Sequence, residues 1–300
     1  MEYGQIIKQA WSISWGNKYL WFFGFFAAMG GGGNYSGLFD RDHPAGTISG
    51  MIREWALSHL GLIALLGAAA AILFVVLIAI HLISKGGLIR SFNQICHLQP
   101  DNFEMTLGYG LKYFWRILGI EIIYGLSVFL PLVLTILPLG AMVIWGGGGV
   151  KLIGITLLVL IALPLVVIIF GLGIWANLSF QIAVLEDKRV LGSIREAGRL
   201  LRETIGRSAL LGLIIIGLEV AFWVAMTAGL MALAVPFIIL GMINWWVGLV
   251  PGILIGLPLL LLAVAAYGTF ASGYWTLAYL QLAGQVSPAG QPELSPADVR

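Results

Sequence analysis

The feature that most constrains this chain is a run from Val220 to Pro292, 73 residues without one Asp, Glu, Lys or Arg. An ordinary soluble domain is about a quarter charged, so its helices and strands are interrupted far more often. Three shorter uncharged runs precede it. There are 30 residues between Glu54 and Lys85, 29 between Glu121 and Lys151, and 34 between Lys151 and Glu186. A helix crosses roughly 30 Å of hydrocarbon with about 20 apolar residues, so each run is long enough to span a bilayer. With 60% hydrophobic residues and a mean hydropathy of +0.98, a 300-residue globule could not hide this surface from water.

The 73-residue run is too long for one crossing. Pro236, the Asn244-Trp245-Trp246 cluster and Pro251 punctuate it, which predicts a helix end, a turn and a further helix. Near the other end of the chain, Tyr19 to Met29 is strongly apolar but four glycines follow. A span there requires a helix beginning near Trp11, with Lys18 snorkelling to the surface. The expected fold is all-α, a polytopic membrane helix bundle. Its six transmembrane helices are expected at 15–32, 57–83, 116–144, 152–182, 208–234 and 248–282, with five or seven as the alternatives. The longest runs exceed one membrane thickness at about 1.5 Å per residue, so those helices should tilt or project past the inner face. Residues 1–284 read as one integral membrane domain, and the Pro-, Ser- and Gln-rich segment 285–300 as a disordered tail. The N-terminal stretch has Glu2 before any cation and no clean cleavage site, so it is expected to be retained.

The six-span arrangement places 13 of the 16 Lys and Arg residues on one side, the exceptions being Arg41, Arg53 and Lys151. Positive residues mark the cytoplasmic side, so both termini are expected there, in a cell-membrane protein. Ten charged residues, a third of the total, fall in 186–207, EDKRVLGSIREAGRLLRETIGR. Ser193 and Glu196 have the spacing of a capping box. Arg195, Arg199 and Arg202 recur along one helical face, and Glu196–Arg199 and Arg199–Glu203 are spaced to pair. An amphipathic helix with a basic face suits the headgroups of anionic lipids. The plainer reading is a solvated loop whose arginines only set topology.

Comparable stretches precede two other spans. Pro100-Asp101-Asn102-Phe103-Glu104 has an N-cap pattern, and Ile7-Lys8-Gln9-Ala10 matches Ile194-Arg195-Glu196-Ala197 in residue type. Each unit then reads elbow, span, outer turn, long span, which suggests three parallel two-span repeats over 1–98, 99–186 and 187–284. The stretches IREAGRLLRETIGRSALL and IKQAWSISWGNKYLWFFG resemble the elbows of prokaryotic six-span membrane protein families of little-known activity. Among these is the membrane domain attached to some glycerophosphodiester phosphodiesterases. The likeness covers most of residues 1–284 and implies a fold. The hydrolytic domain of that family has no counterpart here, so no catalytic residue carries over.

Ionisable groups inside the spans are the strongest pointers to function, because each costs roughly 3 kcal/mol at the bilayer centre. Glu219 lies 12 residues past Arg207, about 18 Å into the membrane by helical rise. It is the leading candidate for an ion, proton or cationic-substrate site. The plainer reading is a protonated acid making one interhelical hydrogen bond. Asn177 and Gln181 are candidate partners, although they are expected nearer the inner surface. Glu121, five residues past Arg116, is expected within reach of the interface. Gly252-Ile-Leu-Ile-Gly256 and Ala225/Gly229 have the spacing of close helix contacts. Cys96 reads as a small buried apolar residue. His59, His81 and His97 are too far apart to share a metal, and no nucleophile has a paired base.

The expected function is therefore non-enzymatic: an integral membrane protein that organises membrane or binds lipid or a membrane-protein partner, with no cofactor and no metal. The lipid bilayer, anionic lipids included, is the expected partner. A net charge of +2 argues against nucleic acid. The alternative is a small transporter or carrier with its carboxylate site at Glu219.

Overall fold

The computed structural model describes residues 3–29 and 59–284, and every regular element in them is helical. The eight helices are α1 (Tyr3–Gly16), α2 (Leu20–Met29), α3 (Leu60–Cys96), α4 (Phe103–Trp145), α5 (Gly148–Leu185), α6 (Val190–Glu203), α7 (Ile205–Ile243) and α8 (Trp245–Leu282). Five of them, α3, α4, α5, α7 and α8, are long and apolar enough to cross a membrane. The first expected span appears as the ten-residue α2. At about 1.5 Å per residue it reaches only half the hydrocarbon thickness. The glycine run Gly30–Gly33, the cations Arg41 and Arg53, and the expected tail lie outside the described residues.

The elbows differ from expectation in one place. α1 and α6 are separate short helices, but the elbow before the third expected span is continuous with it as α4. Asn102 caps this helix by accepting from the Met105 amide at 2.9 Å. The neighbouring Asp101 instead accepts from the Tyr19 hydroxyl at 2.9 Å. Burial, with the Asp101 carboxylate beside it, raises the Tyr19 phenol above its ordinary range. Ser193 does not form the expected capping box, because α6 already begins at Val190. Its hydroxyl is one turn inside the helix and donates back to the Arg189 carbonyl at 3.0 Å. Glu196 pairs with Lys188 and, at 3.2 Å, with Arg199, which also approaches Glu203 at 3.9 Å.

Pro236 and Pro251 do not end helices. Both lie inside α7 and α8, which are joined by Asn244 alone. Its side chain accepts from the Trp246 amide at 3.1 Å, so one residue turns the chain through a helical hairpin.

α3, α5 and α8 touch one another at the centre, while α2, α4 and α7 each touch two of these three. α1 packs on α8 and α6 packs on α5. The three central helices also end alike. Leu98, Asp187 and Gly284 each take a positive φ (55°, 55° and 69°), two residues past the last helical one. This is the left-handed stop that satisfies the last carbonyls of a helix.

Burial is concentrated at the elbow end. In α3 the buried residues lie within Leu82–Cys96, and in α5 all but Gly154 lie within Ile174–Val184. One cluster joins Ile6 and Ala10 of α1 to Cys96, Leu211, Phe270 and Tyr274. Towards the other end the helices carry exposed Leu65, Phe74, Leu163 and Leu254, a surface that only a lipid phase solvates well. α2 crosses α8 at close range. A Cβ at Gly24 would fall 2.0 Å from Thr269 Oγ1 and 2.4 Å from the Ala265 carbonyl. The glycines singled out by sequence are not the tight ones. Gly229 and Gly256 meet nothing within 4 Å, and Gly252 makes ordinary contact with Phe237 at 3.4 Å.

Candidate functional site

The packed end of the bundle holds a partly open cavity of about 670 Å³, mostly apolar but with polar side chains on its wall, formed by α2, α3, α4, α5, α7 and α8. All four polar residues singled out by sequence, Glu219, Glu121, Asn177 and Gln181, lie on its wall. Asn177 and Gln181 are one turn apart on α5, so they share a face. The Asn177 amide donates to the Gly173 carbonyl of its own helix at 2.9 Å. Gln181 is 2% exposed, and its side-chain oxygen has no hydrogen-bond partner among the described residues. Such a buried acceptor costs about 1–3 kcal/mol unless something donates to it, and the adjoining cavity has room for water or a ligand to do so.

Glu121, expected within reach of the interface, lies mid-way along α4. α4 begins 18 residues before it, at Phe103, and carries it along the wall of the bundle. There it accepts from Lys85 Nζ at 3.1 Å. The Lys85 ammonium also sits 3.7 Å from the centre of the Phe180 ring. Side-chain exposures of 21% and 33% put the pair between a surface bridge and a buried one. Charge, hydrogen bond and aromatic face together hold Lys85 against the wall. One turn earlier on α3, His81 Nδ1 lies 2.9 Å from the Phe26 carbonyl. A carbonyl can only accept, so Nδ1 donates in this contact, and His81 lines the cavity.

Glu219 lies on α7, deeper along the apolar part of the bundle. It is exposed and makes no hydrogen bond or ion pair among the described residues. Phe222, one turn on, stacks on Tyr267 of α8 with ring centres 4.3 Å apart and planes at 14°. Glu219 and Tyr267 line the same cavity. Asn177 and Gln181 thus share a cavity with Glu219 without meeting it, because they come from a different helix at a shallower level.

Lys85 and Tyr267 are not among the sequence candidates, and His81 enters there only as one of three histidines too widely spaced to share a metal. A signal for one of them was present: Lys85 closes one uncharged run and Glu121 opens the next. Consecutive spans that place opposite charges at their adjoining ends are candidates for an interhelical pair. Tyr267 carried no such signal, since nothing in an apolar run says which aromatic faces a cavity.

A second hollow, about 660 Å³, lies at the elbow and is lined by Arg195, Arg199 and Arg202 with Trp175 and Gly198. Trp175 Nε1 donates to the Ile194 carbonyl at 3.1 Å and fixes α6 on α5. Below it the charged loop is clamped to α4. Asp187 accepts from Arg116 and lies 3.6 Å from Lys112. The Arg116 hydrogen bond holds the Asp187 carboxyl below its ordinary value. Cys96 is buried in the apolar core. No group of three His, Cys, Asp or Glu converges as a metal site among the described residues. No family model, curated protein or solved structure matches the chain.

Proposed function

We propose that this chain is a non-enzymatic, membrane-embedded binding protein of the carrier type, whose site is the cavity between its helices. The observation that carries this reading is Gln181, a buried amide on the cavity wall with an oxygen unpaired among the described residues. Natural membrane proteins seldom leave such a group dry, and ligand sites in bundles are built from polar side chains on facing helices. Lys85–Glu121 and Glu219 add ionic groups at different depths of the same space. Ionisable side chains held in a span mark substrate or ion pathways by default. The elbows and both termini lie at the cytoplasmic face of the cell membrane in this reading, which the distribution of Lys and Arg supports. Native mass spectrometry of the full chain extracted from its membrane tests it. The wild type should carry a small co-purifying mass that Gln181→Leu loses. A wild type that is bare after mild extraction would sink the proposal.

A second reading rests on the elbow hollow. Arg195 and Arg202 make no ion pair among the described residues, so they are available to phosphate oxygens. We propose that they hold anionic lipid headgroups and seat α6 in the interface. Changing Arg195, Arg199 and Arg202 together to Gln should weaken retention of anionic lipid. Retention equal to the wild type would exclude it.

A further inference from the structure

We infer that the deeper part of the cavity takes the ammonium head of a cationic amphiphile, which reaches it from the lipid between α5 and α7. This rests on the binding reading above and adds the class of ligand and its route.

The charge balance of the site points to a cation. Lys85 is bound to Glu121 at 3.1 Å, so that pair is internally neutral. Glu219 remains, with no hydrogen bond or ion pair among the described residues, on the wall of the same cavity. One acidic side chain is therefore left without an ion-pair partner among the described residues, with His81 a further ionisable group on that wall outside the pair, and an acidic group favours a cationic head over an anionic one.

The surroundings of Glu219 select an organic cation over a metal ion. Phe222 and Trp223 follow it at the i+3 and i+4 positions, on its own side of α7. Phe222 is stacked on Tyr267, and all three rings border the cavity. Aromatic faces beside a carboxylate attract a quaternary or primary ammonium, whose charge is spread over its methyl or methylene groups. A hard metal ion asks for several oxygen ligands, which these rings do not supply.

The route follows from how the helices close. Each of α2, α4 and α7 sits between two central helices, but α7 touches α5 far less than α2 touches α8 or α4 touches α3. The two helices approach at Gly212, where a Cβ would fall 2.7 Å from Ile174 and 2.8 Å from Phe170. Further along α7, Glu219 is exposed, and Trp223 is 50% exposed. Phe170 on α5 and Ile216 on α7 face the cavity at this level and offer an apolar track for an alkyl chain.

The test is equilibrium binding of tritiated hexadecyltrimethylammonium to the full chain in maltoside micelles, which contain no ammonium groups. Unlabelled tetramethylammonium, hexadecanol and hexadecyl sulfate are the competitors. The wild type should bind saturably, with each competitor weaker by about tenfold or more. Glu219→Gln should weaken binding by about tenfold, and Glu219→Asp should keep most of it. Phe222→Leu provides a second loss should the Gln variant fail to fold. Full affinity in Glu219→Gln or in Phe222→Leu overturns the inference. Equal competition by tetramethylammonium overturns the lipid route. Saturable binding of hexadecanol or hexadecyl sulfate alone, lost in Gln181→Leu, would defeat the cation assignment and leave the binding reading intact. No saturable binding of any probe would defeat both.

Discussion

Lys85 and Glu121 lie on consecutive long helices, 36 residues apart, and meet at 3.1 Å on the wall of one cavity. Their exposures of 21% and 33% mean that water or ligand can reach the pair but does not bathe it. Breaking a fully buried pair from one side costs about 3–5 kcal/mol, and partial exposure reduces this. Glu121→Ala should therefore destabilise the fold by roughly 2 kcal/mol, below the fully buried figure. Lys85→Met combined with Glu121→Leu should recover most of the loss. Thermal unfolding in detergent of Lys85→Met, Glu121→Leu and the double reads the coupling directly. Additive losses would show that the two groups do not depend on one another.

Gly24 is where α2 is held to α8. A methyl group there would fall 2.0 Å from Thr269 Oγ1 and 2.4 Å from a backbone carbonyl, and the backbone cannot step aside cheaply. Thr269 also donates to the Leu20 carbonyl at 3.0 Å across the same crossing. Gly24→Ala should cost about 1–3 kcal/mol, the usual range for overpacking, and Gly24→Leu more. Gly256→Ala, which adds a methyl group to open space, is the matched control and should change stability little. Unfolding midpoints of the three variants provide the comparison.

Leu98 holds a left-handed backbone, φ 55°, while its side chain is 93% exposed. It therefore bears the steric cost of that conformation without a packing return. Glycine has no such cost, and Gly284 occupies the corresponding place after α8. Leu98→Gly should stabilise the protein by about 1 kcal/mol, seen as a raised unfolding midpoint. A lowered midpoint would mean that the Leu98 side chain has a partner in the membrane.

The Asp187 clamp makes stability fall in acid. Its carboxyl lies below the ordinary value of 3.8, chiefly through the Arg116 hydrogen bond. A depressed carboxyl contributes its full stability above the ordinary value and loses it as pH drops through the lower folded value. The loss should therefore begin below about pH 4 and be small, because Asp187 is 53% exposed. Asp187→Asn should be less stable than the wild type at pH 7 and closer to it at pH 3. Parallel unfolding curves for the two proteins across that range would remove the clamp from the account.

The membrane class, the helical content and five of the helices with bilayer-crossing length were legible in the sequence. So was the pairing of Arg199 with Glu196 and Glu203, because intrahelical spacing determines it. The break at Thr204 and the continuity through Tyr109 were not. Both stretches look amphipathic, and the difference between an elbow and a straight helix lies in local packing. Around α4, Thr106 bonds the Ser91 hydroxyl at 2.7 Å, and a Cβ at Gly110 would fall 2.2 Å from the Ile83 carbonyl, so the first turns are held straight against α3.

What the sequence by itself determined is where this protein can live. A chain with 73 consecutive uncharged residues has its solvent chosen for it, because only lipid accepts that much apolar surface. The placing of the arginines at the elbow follows from the same expense, since the apolar runs admit so few charges. What only the tertiary structure decided is which polar groups face one another. Helical rise gives the depth of Glu219, Glu121 and Gln181, but depth says nothing about the direction in which each side chain points. That direction is set by how closely each pair of helices can approach, at Gly24 on α8 and Gly110 on α3, and by how little α7 approaches α5. Close junctions on one side and a loose one on the other leave the cavity where it is, with Gln181 buried at its wall and Glu219 exposed at its gap.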